Sequence, residues 1–388
     1  MHVGLFIDGY FPVIDGVVKV TDAYASRLAN KCDVTVFAPK GVGDSPEYDA
    51  RFPYRIVRCK SIMREGDDYP QGFPVIDFKF KNQISKLDLI HLHSAFPVGL
   101  CAKAVGRRHN IPMVGTIHSD FRPDVIQYVG KTVGEQVIKL MMSAYNSCDE
   151  CWTVNDAVAN MFQRDYGLKR PYRVMPYSTD HYPIVDIPAA RQQVNAEYGL
   201  NDDDFVMAHV GRQDLQKRED FTLRSLAELK KSIPDFKMLM VGDGNKQEYL
   251  KQLAVELGLK DNVIFTGKVS DSLALMTLYT RTDLLLFPSV SDTYGLVKIE
   301  AACQKTPTLF CEGTMAAGDT VDNVNGFVAH NDEAAFAARI ASLYSDRKLL
   351  RKVGQGAFRD LYRTWDNLVD DVYENYIRII ENHNFVKI

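Results

Sequence analysis

Two acidic residues in the second half of the chain lie on a predicted loop and on the helix that follows it, an arrangement that could bind a ligand. Asp292 comes after the apolar run DLLLFPS, and Glu300 stands eight positions later in SDTYGLVKIE. The run reads as a strand, SDTYG as a loop and the residues after it as a helix. We therefore expect the backbone N–H groups of Tyr294, Gly295 and Leu296, at the start of that helix, to bind sugar hydroxyls or phosphate oxygens.

Two cations and one glycine could hold a diphosphate. Arg212 and Lys217 lie in GRQDLQK, which begins where the apolar run FVMAHVG ends. An arginine makes a forked contact with phosphate oxygens and a lysine adds a point charge, so the pair could clamp two phosphate groups. Gly16, in YFPVIDGVVKV, precedes a predicted helix, where a glycine lets backbone N–H groups approach an anion closely. Its neighbour Asp15 would repel that anion unless the carboxylate points away.

Histidines and cysteines are the other candidate ligands. His118 ends the predicted strand PMVGTIH, where a histidine is more often a satisfied core residue than a ligand. His91 and His93 alternate along LIHLH, and we predict that they face opposite sides of the sheet in structural roles. The seven cysteines are scattered, and only Cys148 and Cys151 form a CxxC pair. Because zinc needs two more ligands at suitable spacing, we predict ordinary core thiols and no metal site.

Short apolar runs rich in β-branched residues alternate with longer amphipathic stretches along the whole chain. This alternation is typical of parallel strands joined by helices. It starts again after residues 183–200, and 388 residues are too many for one core, which usually stops growing at about 250–300 residues. We therefore predict an α/β protein of two doubly wound, Rossmann-like domains facing a cleft. The predicted domains are 1–187 and 188–364, with a C-terminal helix at 365–388 that packs back on the first.

The composition excludes several classes of protein. The chain has 46 basic and 50 acidic residues, so no overall charge favours nucleic acid as a partner. No apolar run approaches the ~18–20 residues that cross a bilayer. The first residues lack a basic start and carry Asp8 within the apolar stretch, unlike a secretory signal peptide. We expect a cytoplasmic protein, with peripheral attachment to the inner face of a membrane as the alternative.

Taken together, these motifs resemble a known family. The acid-x7-acid spacing of Asp292 and Glu300, preceded by GRxxxxK, VGDG and FTG, is similar to the nucleotide-binding domain of the retaining GT-B glycosyltransferases of family four. In the first half, FIDGYFPVIDGVVKV, IHLHSAFPVG and GTIHSDF resemble glycolipid synthases of that family, such as diacylglycerol glucosyltransferases and phosphatidylinositol mannosyltransferases. The resemblance covers nearly the whole chain. It implies the GT-B fold, with an acceptor-binding first domain and a nucleotide-sugar-binding second domain.

The resemblance also implies a role for each candidate residue. The catalytic set would be His118 beside the donor sugar, Arg212 and Lys217 on the diphosphate leaving group, and Asp292 on the sugar hydroxyls. The donor-binding set would be Gly16 at the phosphates, Lys268 and Val269 at the base, the helix start at Tyr294, Gly295 and Leu296, and Glu300 at the ribose. The family more often has Glu where Asp292 stands. The shorter side chain implies either a changed donor preference or reduced activity.

The implied reaction is the transfer of a hexose, with retention, from a nucleotide diphosphate sugar to a hydroxyl group of a lipid, lipid-linked or saccharide acceptor. The donor would be UDP-glucose, a UDP-galactose-like sugar or GDP-mannose, and front-face attack would need neither metal nor cofactor. Two alternatives stay open: a non-catalytic sugar-nucleotide-binding partner and a nucleotide-sugar epimerase. A glycolipid acceptor also implies an anionic membrane surface. The candidate contact is a basic face formed by Lys79, Lys81, Lys86, Lys103, Arg107 and Arg108, with a solvated helix surface as the alternative.

Overall fold

The computed structural model describes residues 1–13, 15–63 and 69–385 of the chain. These fall into two compact units, one made of residues 1–176 with the segment from Trp365 onwards, the other of residues 177–364. The division lies between Pro176 and Tyr177, upstream of the predicted boundary at 187/188. The end of the predicted C-terminal helix, residues 386–388, lies outside the described residues.

The first unit is built on parallel strands. Its strands are β1 (His2–Phe6), β2 (Asp33–Pro39), β3 (Arg55–Cys59), β4 (Ser61–Ile62), β5 (Gln71–Gly72), β6 (Leu89–Leu92), β7 (Met113–Ile117), β8 (Glu150–Thr153) and β9 (Tyr172–Val174). Seven of them form one sheet in the order β3-β2-β1-β6-β7-β8-β9, and β4 pairs with β5. Its helices are α1 (Gly16–Leu28), α2 (Pro46–Asp49), α3 (Phe78–Ile84), α4 (Pro97–His109), α5 (Arg122–Val129), α6 (Lys131–Tyr145) and α7 (Asp156–Tyr166).

The second unit repeats this plan with six parallel strands. Its strands are β10 (Val206–Val210), β11 (Lys237–Val241), β12 (Val263–Gly267), β13 (Leu284–Phe287), β14 (Thr308–Cys311) and β15 (Phe327–Ala329). They form one sheet in the order β12-β11-β10-β13-β14-β15. Its helices are α8 (Ile187–Tyr198), α9 (Glu219–Lys230), α10 (Gln247–Glu256), α11 (Ser272–Arg281), α12 (Leu296–Cys303), α13 (Glu333–Tyr344) and α14 (Arg347–Asp360). The predicted fold class, two Rossmann-like α/β domains with parallel sheets, is confirmed.

The last helix, α15 (Trp365–Phe385), belongs to the first unit. Its apolar stripe is buried, and an ion pair joins its first turn to α1, where Arg27 Nε lies 2.6 Å from the carboxylate of Asp366. Further along, the hydroxyl of Tyr376 lies 2.6 Å from Nδ1 of His91 on β6. Within the described part of the chain, no helix has both the length and the apolar character needed to cross a bilayer.

The acidic residue in the first apolar run has a structural use. Asp8 lies two residues after the end of β1 and is partly buried, and its carboxylate accepts hydrogen bonds from the hydroxyl of Ser94 at 2.5 Å and the backbone N–H of Val98 at 2.7 Å. It therefore caps the N-terminus of α4, where an anion is favoured by the helix dipole. Burial nevertheless raises the pKa of Asp8 to about 6.

Candidate active site

The two loops that carry the predicted cations and acids meet in the second unit. Strand β10 pairs with β13 although they are not consecutive in the chain, so the loops at their carboxyl ends are neighbours. Lys217, on the loop after β10, places Nζ 2.5 Å from Oδ1 of Asp292, on the loop after β13. The other oxygen, Oδ2, is buried and has no hydrogen-bond partner among the described residues. The structure thus joins Lys217 to Asp292 and leaves one carboxylate oxygen for a ligand.

Arg212 occupies a different position on the same loop. Its side chain is 70% exposed, and its Nε lies 2.7 Å from a carboxylate oxygen of Asp214. Each predicted diphosphate-binding cation is therefore paired with its own carboxylate in the structure. A diphosphate that bound both cations would compete with, or share, these two ion pairs.

Glycines allow the loop after β10 to pack closely on the loop after β11. A Cβ atom on Gly242 would lie 1.9 Å from the carbonyl oxygen of Gly211, and one on Gly244 would lie 2.3 Å from that of Gln213. The backbone N–H of Gln213 donates to the carbonyl of Asp243 at 2.8 Å. The VGDG segment therefore supports the backbone on which Arg212 and Lys217 are mounted.

The start of α12 explains why the signature needs a glycine. Gly295 has φ of +82°, a left-handed conformation, and an added Cβ atom would lie 2.7 Å from the ring of Phe287. Leu296 is the first residue of the helix. The ring of Tyr294 is only 1% exposed and packs edge-on against Tyr177, so only its backbone is placed to meet a ligand.

A buried lysine contacts the turn at the start of α12, and the sequence analysis did not select it. Lys298 is fully buried on α12; its Nζ donates to the carbonyl of Ala316 at 2.8 Å and lies 2.5 Å from Asp319 and 3.6 Å from the centre of the Tyr294 ring. Burial lowers the pKa of Lys298, although Asp319 opposes that shift. Lys298 ties the signature helix to the segment after β14. A single lysine in the apolar series GLVKIEAAC was the available signal.

Glu300 lies further along α12, and its side chain is 18% exposed. Its carboxylate is 3.8 Å from Nε2 of His181, a residue that sequence reasoning did not select. Burial, followed by the nearby Glu300 carboxylate, raises the pKa of Tyr279 well above its usual value. His181 and Tyr279 are thus the neighbours of the Glu300 carboxylate on α12.

The predicted base-binding residues follow the edge strand β12. Gly267 ends that strand with φ of +71°, and Lys268 and Val269 come directly after it. Both line a cavity of about 220 Å³ together with Tyr198 on α8. In the sheet, β11 lies between β12, which these residues follow, and β10, which the Lys217 loop follows.

In the first unit, Gly16 is the first residue of α1, whereas the sequence analysis placed it just before the helix. An added Cβ atom there would meet no described atom within 4 Å, so the backbone is open to close approach. Asp15, however, does not point away: its carboxylate accepts hydrogen bonds from the backbone N–H of Val18 at 2.7 Å and the hydroxyl of Tyr69 at 2.6 Å. The N-terminus of α1 is thus already capped by an anion, which opposes binding of a phosphate at the same point.

His118 follows β7 directly and is 5% exposed. Its Nε2 lies 3.0 Å from Nδ1 of His93, and burial lowers the pKa of His118 to about 3, so the ring is neutral near pH 7. The prediction that His91 and His93 face opposite sides was wrong: their ring centres are 4.1 Å apart. Side chains alternate along a strand, so residues two apart share a face.

The CxxC residues are buried free thiols. The Sγ of Cys148 lies 3.5 Å from the carbonyl of Ala144, and that of Cys151 lies 3.4 Å from the carbonyl of Tyr145. Among residues 1–13, 15–63 and 69–385, no three His, Cys, Asp or Glu side chains are grouped as metal ligands would be.

Comparison with known proteins identifies the two halves. Residues 14–181 match the family model Glycosyltransferase Family 4, and residues 190–360 match the model Glycosyl transferases group 1. The chain is similar to an alpha-monoglucosyldiacylglycerol synthase of Streptococcus pneumoniae, with 23% identity over 100% of this chain and 88% of that protein. It is also similar to a GDP-mannose-dependent alpha-(1-6)-phosphatidylinositol monomannoside mannosyltransferase of Mycolicibacterium smegmatis, with 24% identity over 90% and 91% of the two chains.

A solved structure shares the fold over the whole chain. The crystal structure of Anabaena Alr3699/HepE in complex with UDP has a TM-score of 0.77 and 16% identity, covering 97% of this chain and 99% of that one. At this identity the similarity establishes only the fold. The ligand of this chain has to be inferred from its own residues.

Proposed function

The chain belongs to the GT-B glycosyltransferases, and from that premise we propose that it transfers a hexose, with retention, from a nucleotide diphosphate sugar to a hydroxyl acceptor. The observation that carries the proposal is the contact between Lys217 and Asp292. It brings together a cation suited to the diphosphate and an acid suited to the sugar. These are the two sides of the bond that the reaction breaks.

The proposed chemistry is front-face attack. The acceptor hydroxyl approaches the anomeric carbon on the face that the diphosphate leaves, and the departing phosphate oxygen takes the hydroxyl proton as the glycosidic bond breaks. Negative charge therefore grows on the diphosphate in the transition state. Lys217 and Arg212 stabilise that charge from fixed positions, which is the usual main electrostatic contribution to such catalysis. These cations would serve in place of a metal ion.

The donor would lie along the carboxyl edge of the second sheet. Glu300 would accept hydrogen bonds from the ribose hydroxyls, and the backbone at Lys268 and Val269 would contact the base. The relatives' names include a GDP-mannose-dependent enzyme, and the structural neighbour was solved with UDP. UDP-hexoses and GDP-mannose are therefore the donors to test first.

The acceptor is proposed to be a lipid or a lipid-linked saccharide at an anionic membrane surface. In the basic face, Lys79 and Lys81 lie on α3, and Lys103, Arg107 and Arg108 lie on α4. One large apolar side chain lies beside a cation of this set: Phe78 is 79% exposed, and Nζ of Lys81 lies 4.5 Å from the centre of its ring. Val75 and Ile76, which precede Phe78 in the chain, are each 65% exposed. Exposed apolar groups next to cations suit the interface of an anionic bilayer.

A donor screen tests the proposal. Purified protein would be incubated with single nucleotide sugars and total lipid or saccharide acceptors, and the released nucleotide diphosphate would be measured. Transfer with retention, read from the anomeric NMR signals of the product, supports the proposal. Binding without turnover points to a non-catalytic partner, and a changed donor sugar points to an epimerase. Lys217→Met is the matched negative control for transfer, because it removes the positive charge of the side chain while keeping most of its length.

A further inference from the structure

One arginine contacts the carboxyl ends of three strands of the second sheet. Arg218 immediately precedes α9, and its Nη1 lies 2.6 Å from Oδ1 of Asn331 and 3.2 Å from the carbonyl oxygen of Pro288. The Sγ of Cys311 is 3.7 Å from the same nitrogen. Pro288 follows β13, Cys311 ends β14, and Asn331 comes shortly after β15. Because the sheet has the order β10-β13-β14-β15 on this side, a single guanidinium ties the loop after β10 to the ends of the three strands beyond it.

The backbone of Arg218 has a conformation that an arginine rarely adopts. Its φ is +61°, in the left-handed region, which glycine enters without a steric cost. Its N–H donates to the carbonyl oxygen of Leu215 at 3.2 Å, and its own carbonyl oxygen accepts from the N–H of Thr222 at 3.1 Å. The guanidinium carbon lies 4.0 Å from the centre of the Phe221 ring, close enough for a cation–π contact. Glycine would fit this turn, but it would make none of the side-chain contacts.

The contact of Arg218 with Pro288 joins the two loops that carry the candidate site. Lys217 directly precedes Arg218, and Asp292 lies on the loop that Pro288 begins. The ion pair of Lys217 and Asp292 also joins these loops, but a bound diphosphate would compete for the lysine. A phosphate cannot replace the backbone carbonyl oxygen that Arg218 contacts. The Arg218 link can therefore persist when a ligand opens the ion pair.

We propose that Arg218 is a positioning residue that holds the loops after β10 and β13 together, so that Lys217 keeps its place when the diphosphate has separated it from Asp292. This inference rests on the proposed role of Lys217 at the leaving group. Arg218 acts through Lys217, so its loss should slow transfer without removing a group that contacts the donor.

Steady-state kinetics of Arg218→Gly test this role, because glycine suits the left-handed turn and only the side-chain contacts are lost. We expect kcat to fall by roughly 10–100-fold with a smaller change in donor KM, since a small misplacement of a catalytic group is costly mainly in the transition state. Arg218→Lys keeps the charge and can still reach one acceptor, so it should recover part of the loss. Wild-type kcat in Arg218→Gly would overturn the proposal.

Lys305→Gly is the matched control for the change of backbone and charge. Lys305 follows α12 in the same unit, has φ of +63°, and places Nζ 5.4 Å from the centre of the Phe358 ring. Its replacement by glycine therefore also removes a cation from a left-handed position and from an aromatic ring. We expect wild-type kcat in Lys305→Gly, and a fall equal to that in Arg218→Gly would refute the positioning role.

Hydrogen–deuterium exchange of the nucleotide-free protein tests the same contacts without donor or turnover. In Arg218→Gly the amides of residues 211–217 and 289–295 should exchange at least severalfold faster than in the wild type, because both loops open more often. Lys305→Gly should leave both loops unchanged. Unchanged exchange in Arg218→Gly overturns the inference even if the chain transfers a hexose. If the wild type transfers no sugar, the proposed function fails, and the exchange rates still decide whether Arg218 holds the two loops together.

Discussion

Neutralising Asp292 should tighten the binding of nucleotide diphosphates while it impairs transfer. In the structure the carboxylate of Asp292 lies 2.5 Å from Nζ of Lys217, so a diphosphate has to compete with it for that cation. The side chains of Lys217 and Asp292 are 28% and 18% exposed, so the pair is partly screened by water. A charge-assisted contact of this kind has a net value of about 1.5 kcal/mol. Because 1.4 kcal/mol corresponds to a tenfold change, Asp292→Asn should lower the Kd for UDP or GDP roughly tenfold.

Asp214→Asn makes the same charge change at the neighbouring cation and is the matched control. Arg212 is 70% exposed and its pair with Asp214 is open to solvent. Exposed ion pairs have a net value of about 0.5 kcal/mol, which predicts only about a twofold gain in affinity. Calorimetric titration of both variants with UDP and GDP at low and high salt gives the comparison.

The same titrations can refute the reasoning. If Asp292→Asn binds the nucleotide no more tightly than the wild type does, Lys217 is not the cation for which the diphosphate competes. Equal gains in Asp292→Asn and Asp214→Asn would show that only overall charge matters. With a sugar donor, Asp292→Asn should turn over more slowly than the wild type, because the proposed acceptor of the sugar hydroxyls has lost its charge.

Other changes should separate binding, turnover and stability. Glu300→Ala should weaken nucleotide binding by roughly 1.5–3 kcal/mol, because the ribose loses a charged acceptor; unchanged calorimetric affinity would remove Glu300 from the site. Lys217→Ala and Arg212→Ala should each lower kcat by roughly one to three powers of ten at an unchanged melting temperature; wild-type turnover in Lys217→Ala would mean that the diphosphate is held elsewhere. Lys298→Met should cost about 3 kcal/mol of unfolding free energy in urea, since Asp319 loses its partner, and adding Asp319→Asn should recover most of it. The protein should sediment with anionic liposomes at low but not high salt, since each residue of the basic face contributes about 1 kcal/mol; no sedimentation at low salt excludes this docking mode.

The regular elements could be predicted because their signals are local. Buried parallel strands are continuous apolar runs, and runs such as FVMAHVG and DLLLFPS became β10 and β13. The order of those strands in the sheet could not be read in the same way. Pairing of β10 with β13 depends on long-range packing, and that pairing brings Lys217 to Asp292. The motifs were therefore found from the sequence, but their contact was not.

Partners of the candidate residues were the harder part of the site. Asp214 beside Arg212 and His181 beside Glu300 are ordinary polar residues whose positions depend on loop conformation. The error at His91 and His93 had a different origin, because the two-residue period of a strand already places them on one face. Applied correctly, that period would have predicted that His91 and His93 share a face, whereas the contact of His93 with His118 depends on the pairing of β6 with β7.

The structure also bears on the aspartate that replaces the more common glutamate. If Asp292 marked a decayed site, its carboxylate should have become exposed, or both of its oxygens should have found partners within the protein. Instead one oxygen pairs with Lys217, and Oδ2 stays buried without a hydrogen-bond partner among the described residues. An unsatisfied buried acceptor costs roughly 1–3 kcal/mol, and a ligand hydroxyl that donated to Oδ2 would relieve that cost on binding. We therefore propose that Asp292 keeps an acceptor oxygen suited to a sugar hydroxyl, which favours a changed donor geometry over a lost activity.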